Sequence, residues 1–223
     1  MISSIAIFLY TVVLVAISFL YLQERYKLKN TPIKDILQKN MKYIIVTATI
    51  FILLIGVEIW YSLRNDLIQL PVLMKWSTLF WGIFLLAKVD FHEKKIPNQV
   101  VLVMLVLRCL FLVYEVLVNL DYWKNVITYP LLGAAVGGLI LAVAMLISRK
   151  GVGMGDVKMF IVIGAFVGST EIIATMFYTF LFSAIGGIGL LIAKKAGLKD
   201  SIPMAPFAFV GVAVEYLLLM IGG

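Results

Sequence analysis

The sequence predicts an all-α polytopic membrane protein of about eight transmembrane helices. Three observations carry this. Of 223 residues, 63% are apolar and 14% charged, too much apolar surface for a soluble chain of this size to bury. The apolar residues fall into runs near the ~20 residues that a 30 Å hydrocarbon core requires. The positive charges alternate between the connections in the manner of the positive-inside rule.

The runs lie at about 3–22, 43–63, 71–89, 98–118, 129–148, 156–169, 172–193 and 202–221. The first lacks a basic N-terminal region and an Ala-x-Ala cleavage site, so it is read as a retained helix rather than a signal peptide. The connection 23–42 is the longest polar stretch. Its Pro32 and the spacing Ile33/Ile36/Leu37 fit a short interfacial helix. Connections 23–42, 88–97, 149–158 and 194–200 fall on one side and hold fifteen Lys and Arg residues. The opposite connections hold three, Arg64, Lys75 and Lys124. That bias makes the first side cytoplasmic. The net charge of +7 then records topology and contact with anionic lipid rather than nucleic-acid binding. The sixth run is short: fourteen residues, 156–169, make roughly 21 Å of helix. It is expected to span, starting in a thinned or water-filled pocket. Gly133/Gly137 and Gly164/Gly168 are GxxxG pairs, and such residues let membrane helices approach closely. Helices five to seven are therefore expected to form a tight core. Two domains are expected: residues 1–70, a helix pair with a basic loop, and residues 71–223.

The chemistry is confined to few groups. A single cysteine, Cys109, and a single histidine, His92, leave no cysteine zinc site and no multi-histidine centre, and no metal or cofactor is expected. The stretch Gly151-Val152-Gly153-Met154-Gly155-Asp156-Val157-Lys158 places three glycines at alternate positions before an acid at a membrane-helix end. Such an acid is costly unless used or paired. Asp90 ends the third run at a similar depth on the same side. Two carboxylates that meet can divide acid and base roles in peptide hydrolysis. Two ordinary interfacial acids, paired with Lys88, Lys94 or Lys158, would give the same spacing. Asp90 stands at a helix C-terminus and Asp156 at a helix N-terminus, so the dipoles assign Asp156 as base and Asp90 as acid. Arg108 lies mid-helix and needs a partner; Glu115, two turns along, is the nearest candidate, with Glu58 and Glu171 as others. His92 is expected to be a bystander, and Asp200 a helix cap.

Asp90 followed by Lys94-Lys95-Ile96-Pro97-Asn98, with Gly153-Met154-Gly155-Asp156-Val157-Lys158 and the later Ile202-Pro203-Met204-Ala205-Pro206-Phe207, resembles the motifs of the type IV prepilin peptidases, prokaryotic membrane aspartyl proteases of the GxGD type. Four helices inclusive run from the Asp90 helix to the Asp156 helix, as in the short archaeal preflagellin peptidases, and the resemblance covers about residues 75–221 and implies a catalytic core of six helices. The resemblance implies that Asp90 and Asp156 are catalytic and that Gly153 and Gly155 admit the substrate backbone. Pro97, Asn98, Pro203 and Pro206 are motif positions open to substrate contact or to a plain helix-start role, and Lys158 either tunes Asp156 or reaches the surface. The implied partner is a pilin-like precursor, prepilin, pseudopilin or archaellin, whose short basic leader is cut at the cytoplasmic face of the plasma membrane. The chain departs from the long bacterial members, which carry paired cysteines and also methylate the new N-terminus, so methyltransferase activity is not expected. Two other readings stand beside this one. A signal-peptide-peptidase-like GxGD protease would carry Pro-Ala-Leu near its last helix, where this chain has Pro-Met-Ala-Pro-Phe. A small proton-coupled transporter would use Arg108, Glu115 and Glu58.

Overall fold

The computed structural model describes residues 2–25, 56, 70–148, 152–194, 197 and 202–222. The expected second span 43–63 with Glu58, the 23–42 connection and Asp200 lie outside these residues, Gly56 apart. Seven α-helices are present among the described residues: α1 Ile2–Arg25, α2 Leu70–Glu93, α3 Asn98–Val118, α4 Trp123–Ser148, α5 Met154–Val167, α6 Glu171–Ile192 and α7 Ala205–Gly222. No strand occurs among them. The chain divides into two compact units, Met1–Ser77 and Thr78–Gly223.

Helices α2, α3 and α6 and the stretch Leu120–Ser148 are long and apolar enough to cross a membrane. Leu9–Leu22 within α1 and Ala205–Ile221 within α7 are shorter apolar stretches. The protein is an all-α, multi-pass membrane protein. Its outward face is rich in apolar side chains, including Leu102, Val106 and Leu110 on α3 and Leu139 and Leu146 on α4, as lipid contact requires.

The run expected at 129–148 is longer than the sequence suggested. A 3-10 turn, Leu120–Tyr122, leads into α4 at Trp123, and Pro130 is accommodated inside the helix. Proline there removes one backbone donor. Thr128, close by, donates from its Oγ1 to the Lys124 carbonyl at 2.8 Å. Helix α3 starts at Asn98 behind Pro97, whose φ of −73° and ψ of 120° are extended. It stops at Asn119, whose side-chain amide donates to the Glu115 carbonyl at 2.9 Å. Arg25 ends α1 in the position that favours a cation, donating to the Tyr21 hydroxyl at 2.8 Å.

Within the second unit the most extensive contact is between α4 and α5, followed by that between α6 and α7. The first is a backbone contact made by glycines. A Cβ on Gly133 would land on the Gly164 carbonyl oxygen, and one on Gly164 would land on the Gly133 carbonyl oxygen. One turn along, a Cβ on Gly137 would come within 2.6 Å of the Phe160 carbonyl oxygen. Gly133 of the first GxxxG pair therefore meets both glycines of the second, Gly164 and Gly168, a contact within the tight core expected of these helices. Gly168 follows α5 with φ of 95°, a left-handed conformation open to glycine. Its N–H donates to the Gly164 carbonyl at 2.8 Å, and the Tyr129 ring packs over it. The Tyr129 hydroxyl bonds Glu171 and accepts from Thr170 at 2.8 Å, closing the α5–α6 turn. Between α6 and α7, Gly211 lies against Thr179 and Gly186 against Phe207. Phe80 and Phe84 of α2 meet Phe209 and Tyr216 of α7 edge to face, with ring centroids 5.3 to 6.0 Å apart.

The α4–α5 contact leaves no space for a side chain. Gly164→Val and Gly133→Val should each destabilise the protein by about 1–3 kcal/mol through overpacking. At Gly189 an added methyl would meet nothing within 4 Å, so Gly189→Ala should be tolerated with no loss. Thermal unfolding in detergent micelles measures all three, and equal melting temperatures for Gly164→Val and wild type would contradict the packing described.

Candidate active site

Three segments distant in sequence converge at one end of the second unit: the end of α2 with the following loop, the start of α5, and the start of α7. Asp90 lies three residues before the end of α2 and is only 5% exposed. Its Oδ2 accepts the Ala205 N–H at 3.0 Å, and the Met204 N–H is a second backbone donor to the carboxylate. These donors belong to the first turn of α7, where backbone N–H groups lack partners inside the helix. Pro206 follows in that turn, where a missing N–H costs nothing. The Pro203–Phe207 motif thus brings a helix N-terminus onto Asp90.

Asp156 is the third residue of α5 and half-buried. Its Oδ2 accepts the Gly153 N–H at 3.1 Å. Gly153, with φ of −85° and ψ of 150°, is the residue before the first helical turn, and its carbonyl accepts the Asp156 N–H at 3.0 Å. This is the acidic half of a capping box; the glycine has no side chain for the other half. The sequence placed the acid at the start of the run, whereas α5 starts at Met154 and reaches Asp156 within its first turn.

The two aspartates are near enough for the charge of Asp90 to act on Asp156. Neither forms an ion pair among the described residues. Each carboxylate has its Oδ2 engaged by a backbone N–H. The pairing with lysine that a bland reading allows is not what the side chains do. Lys158 Nζ donates to Asn98 Oδ1 at 3.0 Å, and His92 Nδ1 lies 2.9 Å from the Lys88 carbonyl at the exposed end of α2.

The dipole assignment of acid and base considered only the helix carrying each acid. Asp90 stands at the end of α2 but also faces the N-terminus of α7. Both carboxylates therefore receive N–H groups from a helix start, and helix ends alone do not separate their roles.

The loop after α2 joins the two motifs directly. A Cβ on Gly155 would lie 2.9 Å from the Ile96 Cβ and 3.0 Å from its Cγ1. Pro97 is buried beside it, and Asn98, exposed, holds Lys158. A Cβ on Gly153 would meet only Asp156 Oδ2 at 3.4 Å and the Gly155 nitrogen at 3.9 Å, so this glycine has free space around it. Pro203 is half-buried ahead of α7. Arg108 is not part of this cluster. It lies in α3, 5% exposed, with Nη1 3.0 Å from Glu115 Oε2 and Nε donating to the Ala165 carbonyl at 2.6 Å. The expected intramembrane pair is present; the bond to Ala165 had no signal in the sequence.

The arrangement supplies two buried or half-buried carboxylates that interact, beside a lysine-bearing loop. That is the equipment of metal-independent acid-base hydrolysis.

Comparison with known proteins bears on the family. The chain is 34% identical over 136 residues to a prepilin leader peptidase/N-methyltransferase of Bacillus subtilis, covering 60% of this chain and 52% of that protein. It is 26% identical over 161 residues to proteins of the same name from Aeromonas salmonicida and Aeromonas hydrophila, covering 68% of this chain and 53% of theirs. The chain thus spans about half the length of the curated relatives it matches. No solved structure matches. The sequence model of the type IV leader peptidase family matches residues 77–188, a segment that takes in Asp90, the Ile96–Asn98 loop and the Gly153–Lys158 stretch, and the chain belongs to that family.

Proposed function

We propose that the protein is an aspartyl endopeptidase, with residues 71–223 as its peptidase domain and Asp90 and Asp156 as the catalytic pair. Its substrate is a pilin-like precursor, from which it cuts a short basic leader at the cytoplasmic face of a prokaryotic plasma membrane. The single observation that carries this reading is the convergence of the two family aspartates at one helix-end cluster, interacting through their charge and free of ion pairs among the described residues.

In the proposed reaction the two carboxylates share one proton. The ionised member takes a proton from a water molecule as its oxygen attacks the scissile carbonyl carbon. The protonated member gives its proton to the carbonyl oxygen, forming a tetrahedral gem-diol. A proton then passes to the amide nitrogen, the C–N bond breaks, and the leader carboxylate and the new N-terminus separate. Each aspartate keeps its Oδ2 on a backbone N–H throughout, which restrains the orientation of the carboxyl group.

The orientation is supported by the charge bias. The loop carrying Lys94 and Lys95 lies next to the aspartates, on the side with fifteen of the basic residues. The proposal covers the peptidase reaction alone. The relatives are named for a methyl transfer as well, and the paired cysteines of the long members have no counterpart in a chain with one cysteine, exposed Cys109.

Gly155 has a role different from the one the motif suggests. Its Cα is taken up by Ile96, so the missing side chain serves packing of the two motifs, and Gly153 is the glycine with open space beside it.

Asp90→Asn and Asp156→Asn preserve an oxygen acceptor for the capping N–H groups, so both variants should fold. Each should lose leader cleavage by at least about a thousandfold, read as a mobility shift of a co-expressed precursor with an apolar helix after its leader. Retained cleavage in either would sink the assignment. Incubation with S-adenosylmethionine should place no methyl group on the processed N-terminus; a methylated product would overturn the restriction to peptidase. Gly155→Ala should slow cleavage and lower the melting temperature, since overpacking by about 1–3 kcal/mol outweighs a gain in helix propensity of about 1 kcal/mol. Adding Ile96→Ala should restore both. If the double variant is as slow as the single one, Gly155 serves substrate approach instead.

A further inference from the structure

Helix α5 is fourteen residues long, roughly 21 Å at 1.5 Å per residue, against a hydrocarbon core of about 30 Å. Its last turn therefore stops short of the far surface of the bilayer. The carbonyls of that turn have no partner within the helix, and in hydrocarbon an unsatisfied carbonyl is costly. Helix α3 runs alongside α5 and starts on the same side, since Lys158 near the start of α5 bonds Asn98 at the start of α3. At 21 residues, α3 is long enough to continue past the point where α5 ends.

Arg108 of α3 meets that point. Its Nε donates to the carbonyl of Ala165, in the last turn of α5, at 2.6 Å. Its Nη1 is 3.0 Å from Glu115 Oε2, further along α3, and its guanidinium lies over the Phe166 ring, 5.9 Å from the centroid. A cation at a helix C-terminus is favoured by the dipole, and Glu115 offsets the cost of holding it in the membrane. The two polar bonds use different nitrogens, so neutralisation and capping are separate tasks.

We infer that Arg108 is a positioning residue: by capping the intramembrane end of α5 from α3, it sets the depth of that helix and hence the height of Asp156 against Asp90. This rests on the proposed peptidase reading for its consequence in catalysis, though not for its consequence in helix depth. Arg108 and Asn98 hold α5 to α3 at both ends. The glycine contact with α4 fixes the separation of α5 from α4, but a backbone groove of glycines presents little to stop sliding along the axis. The paired polar contacts supply that stop.

The test uses the full chain in lipid vesicles, in a Cys109→Ser background with Met154→Cys as reporter. Met154, 55% exposed, is the first residue of α5, and its labelling rate with a membrane-impermeant maleimide reads the height of the helix. Arg108→Leu with Glu115→Leu removes both charges together, so no lone charge is left buried. The double variant should lower kcat about 10- to 100-fold with KM within about twofold, and should change the labelling rate at position 154. Arg108→Lys, which keeps a donor for the Ala165 carbonyl, should recover part of kcat and return labelling toward wild type. Should the double variant fail to fold, Arg108→Lys and Arg108→Gln carry the same comparison, the second with a weaker neutral donor and the larger defect. Wild-type kcat and labelling in the charge-free variants overturn the inference, and so does a fall in kcat with labelling unchanged. If the unmodified protein cleaves no precursor, the peptidase reading fails, and the labelling shift alone decides whether Arg108 sets the depth of α5.

Discussion

A helix too short for the bilayer creates a demand at each of its ends, and several of the described polar contacts of the second unit answer one or the other. At the start of α5 the free N–H groups meet Asp156 and the aqueous boundary. At its finish Gly168 turns the chain in the left-handed region and Arg108 reaches over from α3. Tyr129, Thr170 and Glu171 then close the turn into α6. Along its sides α5 has few devices of its own, and its buried face, from Val157 through Phe166, is apolar. The contact with α4 relies on paired glycines whose backbones touch. Dispersion and Cα–H contacts at that distance replace the hydrophobic drive that lipid cannot provide.

The same economy shows at the aspartates. A buried carboxylate needs donors, and a helix start near the membrane needs acceptors. Asp90 and the first turn of α7 meet both needs together across 115 residues of sequence. Asp156 and Gly153 do so across three. Capping and chemistry are often treated as rival explanations for an acid at a helix end. Here a backbone N–H holds Oδ2 of each acid in place, and that capping role is compatible with the proposed chemical one.

Much of this was legible in the sequence because it depends on local signals. Apolar run length gave the helices between residues 70 and 222 to within a few residues, except α4, which starts at Trp123 rather than at 129. The GxxxG pairs pointed to close packing of these helices, and Gly133 lies against Gly164 and Gly168. The level of Asp90 and Asp156 followed from counting spans and charges. What sequence could not show were the partners chosen across space: Ala205 for Asp90, Ala165 for Arg108, Ile96 for Gly155. Each is a backbone atom or an apolar contact, and a generic backbone group leaves no mark on composition or period. The dipole argument was incomplete for the same reason, since it counted the helix bearing Asp90 and had no means to see the one arriving from residue 205.

Lys158 shows how spacing settles a choice that composition leaves open. Two residues separate it from Asp156, and on an α-helix positions i and i+2 point to different faces. When Asp156 turns back toward Gly153 to cap its own helix, Lys158 is carried round toward α3. There Asn98 offers a neutral oxygen at 3.0 Å. An ammonium on the aspartate face would bind the second carboxylate oxygen and hold it away from any reacting group. Placing the lysine two positions on gives α5 its anchor to α3 and leaves the acidic pair unneutralised. The surrounding loop is basic through Lys94 and Lys95, both exposed, so the interacting carboxylates form a local acidic point within a positive rim.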